Sequence, residues 1–302
     1  MISEKNHDYS MERRLRELNP ELHRRFTDTV FGLQFILSNY KLLFPAFTDH
    51  TELHSLNVID FCNHLIGDQI DLMNADEIYT LLTGCYFHDV GMGISEKDYR
   101  EFSPKIDFGQ YFDTHSREDI PRIIRDFHNE YSGLFIRKYA EFFEIPSREH
   151  LWAVIEIARG HRKTPLMDER QYPTAFKVPG GSTVCLPYLA ALIRLCDEID
   201  VTASRNPALL YDLESFTEET SILEHKKHKA VKELIVSSDA FTMIAETQEE
   251  DVMEGLLRMK EKMQKTLDDC RQAVAGRTPF VITQEKVLIS WSELQFLVRR
   301  GR

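Results

Sequence analysis

The chain has 302 residues, 42% hydrophobic and 28% charged, which is the make-up of a globular protein rather than a disordered or membrane-embedded one. A formal charge of −12 argues against a broad grip on nucleic acid, which needs clustered Lys and Arg. Five scattered cysteines with no C-x-x-C leave neither a disulfide framework nor a thiolate zinc site, as expected for a reducing cytoplasm. The polar Met1 to Arg14 stretch lacks the apolar core of a signal peptide, and the longest apolar runs are far shorter than the roughly 20 residues of a membrane span.

From Asn19 to about Val201 the periodicity predicts mostly helix. Leu22, Phe26, Val30, Leu33, Phe35 and Ile36 form a 3.6-period stripe. Thr48-Asp49 followed by Glu52 predicts a helix start, and the helix it opens carries Leu53, Leu56, Ile59 and Leu65 inward. Asn74-Ala75-Asp76 opens the next helix, which runs to Asp89 and stops at Gly91. Residues 91–117 read as a loop with a short helix around Lys97 to Glu101. Helices are expected at 118–144, 147–160 and 184–200, with a turn-rich connection from Pro165 to Gly181. Beyond Asn206 the alternation predicts strands at Val231–Val236 and Ala240–Thr247. A charged amphipathic helix over 249–275 and a third strand from Phe280 to Ile289 complete the chain.

Twelve histidines prove nothing singly, because a lone His on a helix is usually a surface or hydrogen-bonded residue. The setting of a few is different. His54-Ser55-Leu56-Asn57-Val58 lies in one helix, and the next ends in the apolar run Leu81 to Phe87 followed by His88-Asp89-Val90-Gly91. Burying an adjacent His-Asp pair without a partner costs several kcal/mol, and a metal ion supplies one.

In these residues the sequence resembles the HD superfamily of metal-dependent phosphohydrolases, whose signature is a histidine, a His-Asp pair and a distant aspartate. His54, His88, Asp89 and Asp197 fit it in order, Asp197 within Leu192 to Asp200. The resemblance covers about residues 45–206. His128, in His128-Asn129-Glu130-Tyr131-Ser132-Gly133, and His161, in Gly160-His161-Arg162-Lys163, fall where the two-metal branch that includes HD-GYP proteins has two extra histidines. The resemblance therefore implies a mainly α protein. An HD-domain helical bundle over 45–206 would follow an N-terminal helical segment, 1–44, and precede a small C-terminal α+β appendage, 207–302.

It also implies metal ligation by His54, His88, Asp89, His128, His161 and Asp197, with Asp89 bridging two divalent transition ions (Fe, Mn, Ni, Co or Zn). His88 and Asp89 would be the catalytic pair. The activity implied is hydrolysis of a small phosphorylated substrate, a nucleotide for instance, by water that the two metals activate. Arg194, Arg162, Lys163 and Arg205 are the candidates to hold phosphate, with Lys97 behind them. His50, one helical turn before His54, is a candidate for substrate or a further metal. Met92 stands where HD-GYP proteins have lysine, and no Gly-Tyr-Pro follows His161. The pattern, including Asp200 and Arg205-Asn206-Pro207, looks closer to HD domains found beside heat-shock-type ATPase domains.

Two other functions fit the same residues: a non-catalytic metal- or nucleotide-binding regulatory module, and a di-iron oxygenase. No membrane partner is expected, and a homo-oligomer through the 249–275 helix is an open expectation. Lys226 to Lys229 read as a solvated turn. His7, His23, His64, His115, His150 and His225 read as surface residues, and Tyr139, Phe142 and Phe143 as core.

Overall fold

The computed structural model describes residues 7–37, 52–162, 164–202 and 219–292. Helices α1 (Ser10–Leu18), α2 (Pro20–Leu37), α3 (Glu52–Ile66), α4 (Ala75–Phe87), the short α5 (Glu96–Phe102), α6 (Ile120–Tyr139) and α7 (Arg148–Gly160) come first. A small hairpin, β1 (Phe176–Lys177) and β2 (Thr183–Val184), leads into α8 (Leu186–Ile199). The C-terminal part holds α9 (Glu219–Ala230), β3 (Val231–Val236), β4 (Ala240–Ala245), α10 (Glu250–Val274) and β5 (Lys286–Trp291). The fold is mainly α with a small sheet-containing C-terminal region. No helix among the described residues is long and apolar enough to cross a membrane.

The bundle is organised around α4. Every residue from Glu77 to Phe87 is buried, as expected of a helix that is apolar on all sides, and α1, α2, α3, α7 and α8 pack around it. A Cβ on Gly84 would stand 2.5 Å from Ile157 Cδ1, so the missing side chain is what lets α7 approach. The start of α4 is held by a capping box. Asn74 Oδ1 accepts from the main-chain N–H groups of Asp76 and Glu77, each at 3.0 Å, while Glu77 Oε2 accepts from Asn74 N–H at 3.1 Å. Asn74 Nδ2 also donates to Thr183 O, and Cys185 N–H donates to Glu77 Oε1, so the cap ties α4 to the entry of α8. Asn74→Ala should therefore lower the unfolding free energy by about 1–2 kcal/mol, measured by urea denaturation. An unchanged midpoint would show that the cap contributes nothing.

Several elements differ from expectation. α9 lies outside every expected helix, whereas α1 falls within the N-terminal segment, 1–44, expected to be helical. Lys226 to Lys229 lie in α9 rather than in a turn, with Lys227 and His228 buried. The stem of Lys227 packs where a Cβ on Gly255 would meet it at 2.8 Å, while its Nζ reaches Glu224. His150 and His225 are buried rather than exposed. His150 Nε2 lies 2.8 Å from Asp76 Oδ1, which explains how a polar ring is tolerated there. Phe143 is core, but Phe142 is 70% exposed.

In the C-terminal part β3 and β4 form an antiparallel hairpin, and β5 runs parallel to β4. Parallel pairing requires a crossover, which α10 supplies. The third strand starts at Lys286, later than expected, because the residues before it are used in packing: Phe280 stacks on Tyr188 of α8 at 4.2 Å. The apolar side of α10, with Leu256, Met263, Leu267 and Cys270, is buried, and α10 lies along α8. It thus braces the helix that carries Asp197.

Candidate metal centre

Three histidines are presented by one local device. His88 caps the C-terminus of α4 and His161 that of α7. His128 follows a break in α6, where Phe127 leaves helical geometry with φ −120° and ψ 16°. Each ring turns its Nδ1 back on the main-chain carbonyl three residues earlier: Cys85 O at 2.7 Å, Arg125 O at 2.6 Å and Ala158 O at 2.5 Å. A carbonyl oxygen can only accept, so these Nδ1 atoms carry a proton, and a ring that ligates a cation does so through the Nε2 lone pair. His54, from α3, has Nδ1 at 2.7 Å from Asp200 Oδ2, which fixes the same tautomer. Two true helix C-termini therefore converge on the centre with their negative ends, favouring positive charge between them.

The four Nε2 atoms meet around Asp89. Its Oδ2 lies 3.3 Å from His88 Nε2 and 3.5 Å from His54 Nε2, and its Oδ1 lies 3.2 Å from His128 Nε2 and 3.7 Å from His161 Nε2. The rings are also close in pairs, with Nε2 atoms 3.2 Å apart for His54 and His88 and 2.7 Å apart for His128 and His161. His54, His88 and Asp89 form one group able to hold a cation, and Asp89, His128 and His161 form another. Asp197, on α8, brings Oδ1 to 3.2 Å from His54 Nε2. Asp89 and the four rings are buried, while the Asp197 side chain keeps 21% of its exposure and marks the open side.

This donor set fits transition-metal ions. Two lone pairs facing each other at 2.7 Å repel unless something positive lies between them. A shared proton would leave a buried imidazolium, and burial pushes the His161 pKa well below its ordinary value, with His128 and His88 adding to the fall. Imidazole and carboxylate together suit Fe, Mn, Ni, Co or Zn.

The remaining expected residues divide. Arg162 is half-buried after His161 and close enough to Glu198, Asp197's neighbour, to oppose the rise that burial imposes on the Glu198 carboxyl. Arg194 commits two of its guanidinium nitrogens to acceptors within the chain. Its Nε donates to Gly160 O at 2.7 Å and its Nη2 to Thr164 O at 2.8 Å, so it fastens the segment around His161. Lys97 is exposed on α5. His50, Lys163 and Arg205 lie outside the described residues. Sequence reasoning gave no role to Ser132, whose Oγ donates to His88 O at 2.7 Å and accepts from Gly91 N–H at 2.8 Å. Its place four residues after His128, on the same helix face, was the available signal.

A helical bundle that gathers four imidazoles around a shared His-Asp carboxylate is an HD-type domain. The HD-CE family model matches residues 44–276, and the chain belongs to that family. No curated protein and no solved structure matches it.

Proposed function

We propose that the chain is a metal-dependent phosphohydrolase acting on a small phosphorylated substrate such as a nucleotide. The observation that carries this reading is the sharing of Asp89: each carboxylate oxygen faces its own pair of imidazoles. His54, His88, Asp89 and Asp197 would hold one divalent ion, and Asp89, His128 and His161 a second. Bound there, such ions supply Lewis acidity, lowering the pKa of water and offsetting charge on phosphate oxygens.

The chain's own groups do the rest. Protonated Nδ1 atoms keep all four rings in the ligating tautomer. Asp89 and the four rings are buried, and Asp197 is the most exposed of the six proposed ligands. Arg162, whose charge is felt at Glu198 beside Asp197, is the group assigned in this reading to hold the phosphate. Arg194 keeps the His161 segment in position.

The test is metal content together with phosphate release from a panel of nucleotides and cyclic nucleotides. About two transition ions per chain are expected, with turnover that depends on them. Arg162→Ala should raise KM by about tenfold, the size of one lost charged hydrogen bond, with kcat much less affected. Metals without turnover would favour a regulatory binding module, and an absence of bound metal after loading with Mn or Fe would overturn the reading.

A further inference from the structure

The two halves of the centre are not built alike. His88, His128 and His161 each rest Nδ1 on an uncharged main-chain carbonyl. His54 rests Nδ1 on Asp200 Oδ2 at 2.7 Å. Asp200 is 0% exposed, held at the C-terminal end of α8 by its own N–H on Asp197 O at 3.3 Å, with Asn57 Nδ2 lying 3.4 Å from its Oδ1. The His54 half thus has two carboxylates, Asp197 against Nε2 and Asp200 against Nδ1, for which the described residues show no counterpart around His128 and His161.

A carboxylate on the far nitrogen makes an imidazole a stronger donor than a carbonyl does, because it stabilises positive charge spreading into the ring. It also lets His54 keep its orientation without the helix end that His88 and His161 use or the helix break that precedes His128. We infer that Asp200 is a positioning residue that makes the two half-sites unequal: the one with His54, His88, Asp89 and Asp197 binds its cation more tightly and fills first. This rests on the metal-centre reading above.

The consequence is a stable one-metal state of the full chain. Activity would then follow occupancy of the weaker His128–His161 half.

The test is titration of the chelator-stripped full-length chain with Mn(II), following free Mn(II) by electron paramagnetic resonance. Wild type should bind in two separate steps. His128→Ala should lose the weaker step and keep the tighter one. Asp200→Asn should weaken the tighter step by about 10–100-fold and leave the weaker one unchanged. Equal weakening of both steps, no change in either, or loss of the tighter step in His128→Ala would overturn the inference. Wild type that binds no Mn(II) would instead overturn the metal reading itself.

A second measurement does not depend on how the variant folds. The imidazole nitrogen-15 spectrum of metal-free wild type should show His54 with its proton on Nδ1, and a proton on Nε2 would contradict the role given to Asp200.

Discussion

Asp89→Ala should empty both half-sites together, because each depends on one oxygen of this carboxylate. Metal content should fall from about two ions per chain to none retained through dialysis, and phosphate-ester turnover should drop on the order of a thousandfold or more, since the Lewis-acid contribution is worth several kcal/mol. The fold should survive: the apolar core of α4 lies along Leu81, Leu82, Cys85 and Phe87 and does not involve the Asp89 side chain. Asp89→Asn is the sharper variant. Its amide offers one oxygen and one NH2 group, and the NH2 nitrogen has no lone pair to give. It can serve one half-site, so about one ion should remain, with turnover still lost. Atomic emission on the three proteins, with turnover measured alongside, decides the matter. An Asn variant that keeps two ions would refute the bridging role of Asp89.

Part of the candidate centre is legible in sequence, because two of its residues sit where local pattern is strongest. His88 and Asp89 follow an apolar run at a helix end, and Asn74 announces the start of the same helix three residues before Glu77. His54, His128 and His161 needed the resemblance, since one histidine on a helix carries no local signal. What the pattern could not reveal depends on partners distant in the chain. Arg194 lies one turn before Asp197 and read as a phosphate ligand, yet its acceptors are Gly160 and Thr164, 34 and 30 residues away. The charged α1 read as a polar terminus, but Met11 and Leu15 are buried, and Asn63 of α3 anchors its start: Ser10 Oγ donates to Asn63 Oδ1 at 2.8 Å. Lys226 to Lys229 read as solvent-facing because charge dominates the pattern, while the aliphatic stem of Lys227 does the packing. The parallel register of β5 could not be read either, because strand direction follows from where α10 crosses and not from alternation.

Gly91→Ala should damage the centre through space alone. The turn Val90–Gly93 carries the chain from Asp89 directly beneath α6. A Cβ on residue 91 would stand 2.1 Å from His128 O and 2.7 Å from Ser132 N. Both are main-chain atoms of a helix, so neither can swing aside as a flexible side chain would. Relief requires the turn to move away from α6, which separates Asp89 Oδ1 from His128 Nε2, now 3.2 Å apart. The same movement stretches the hydrogen bonds that Ser132 Oγ makes to Gly91 N–H and His88 O. Overpacking of this kind costs about 1–3 kcal/mol or more, and a displacement of ~1 Å among reacting groups costs about a hundredfold in rate. Ser132→Ala gives the comparison, since it removes the hydroxyl without a clash and leaves Gly91 N–H and His88 O unpaired, at about 1–3 kcal/mol. Both variants should unfold at lower urea concentration than wild type. Gly91→Ala should also lose the cation proposed for Asp89, His128 and His161, whereas Ser132→Ala should keep it with reduced affinity. A Gly91→Ala protein with the wild-type midpoint and a full complement of metal would mean that the turn and α6 can move apart freely, and that their close contact does not set the geometry of the centre.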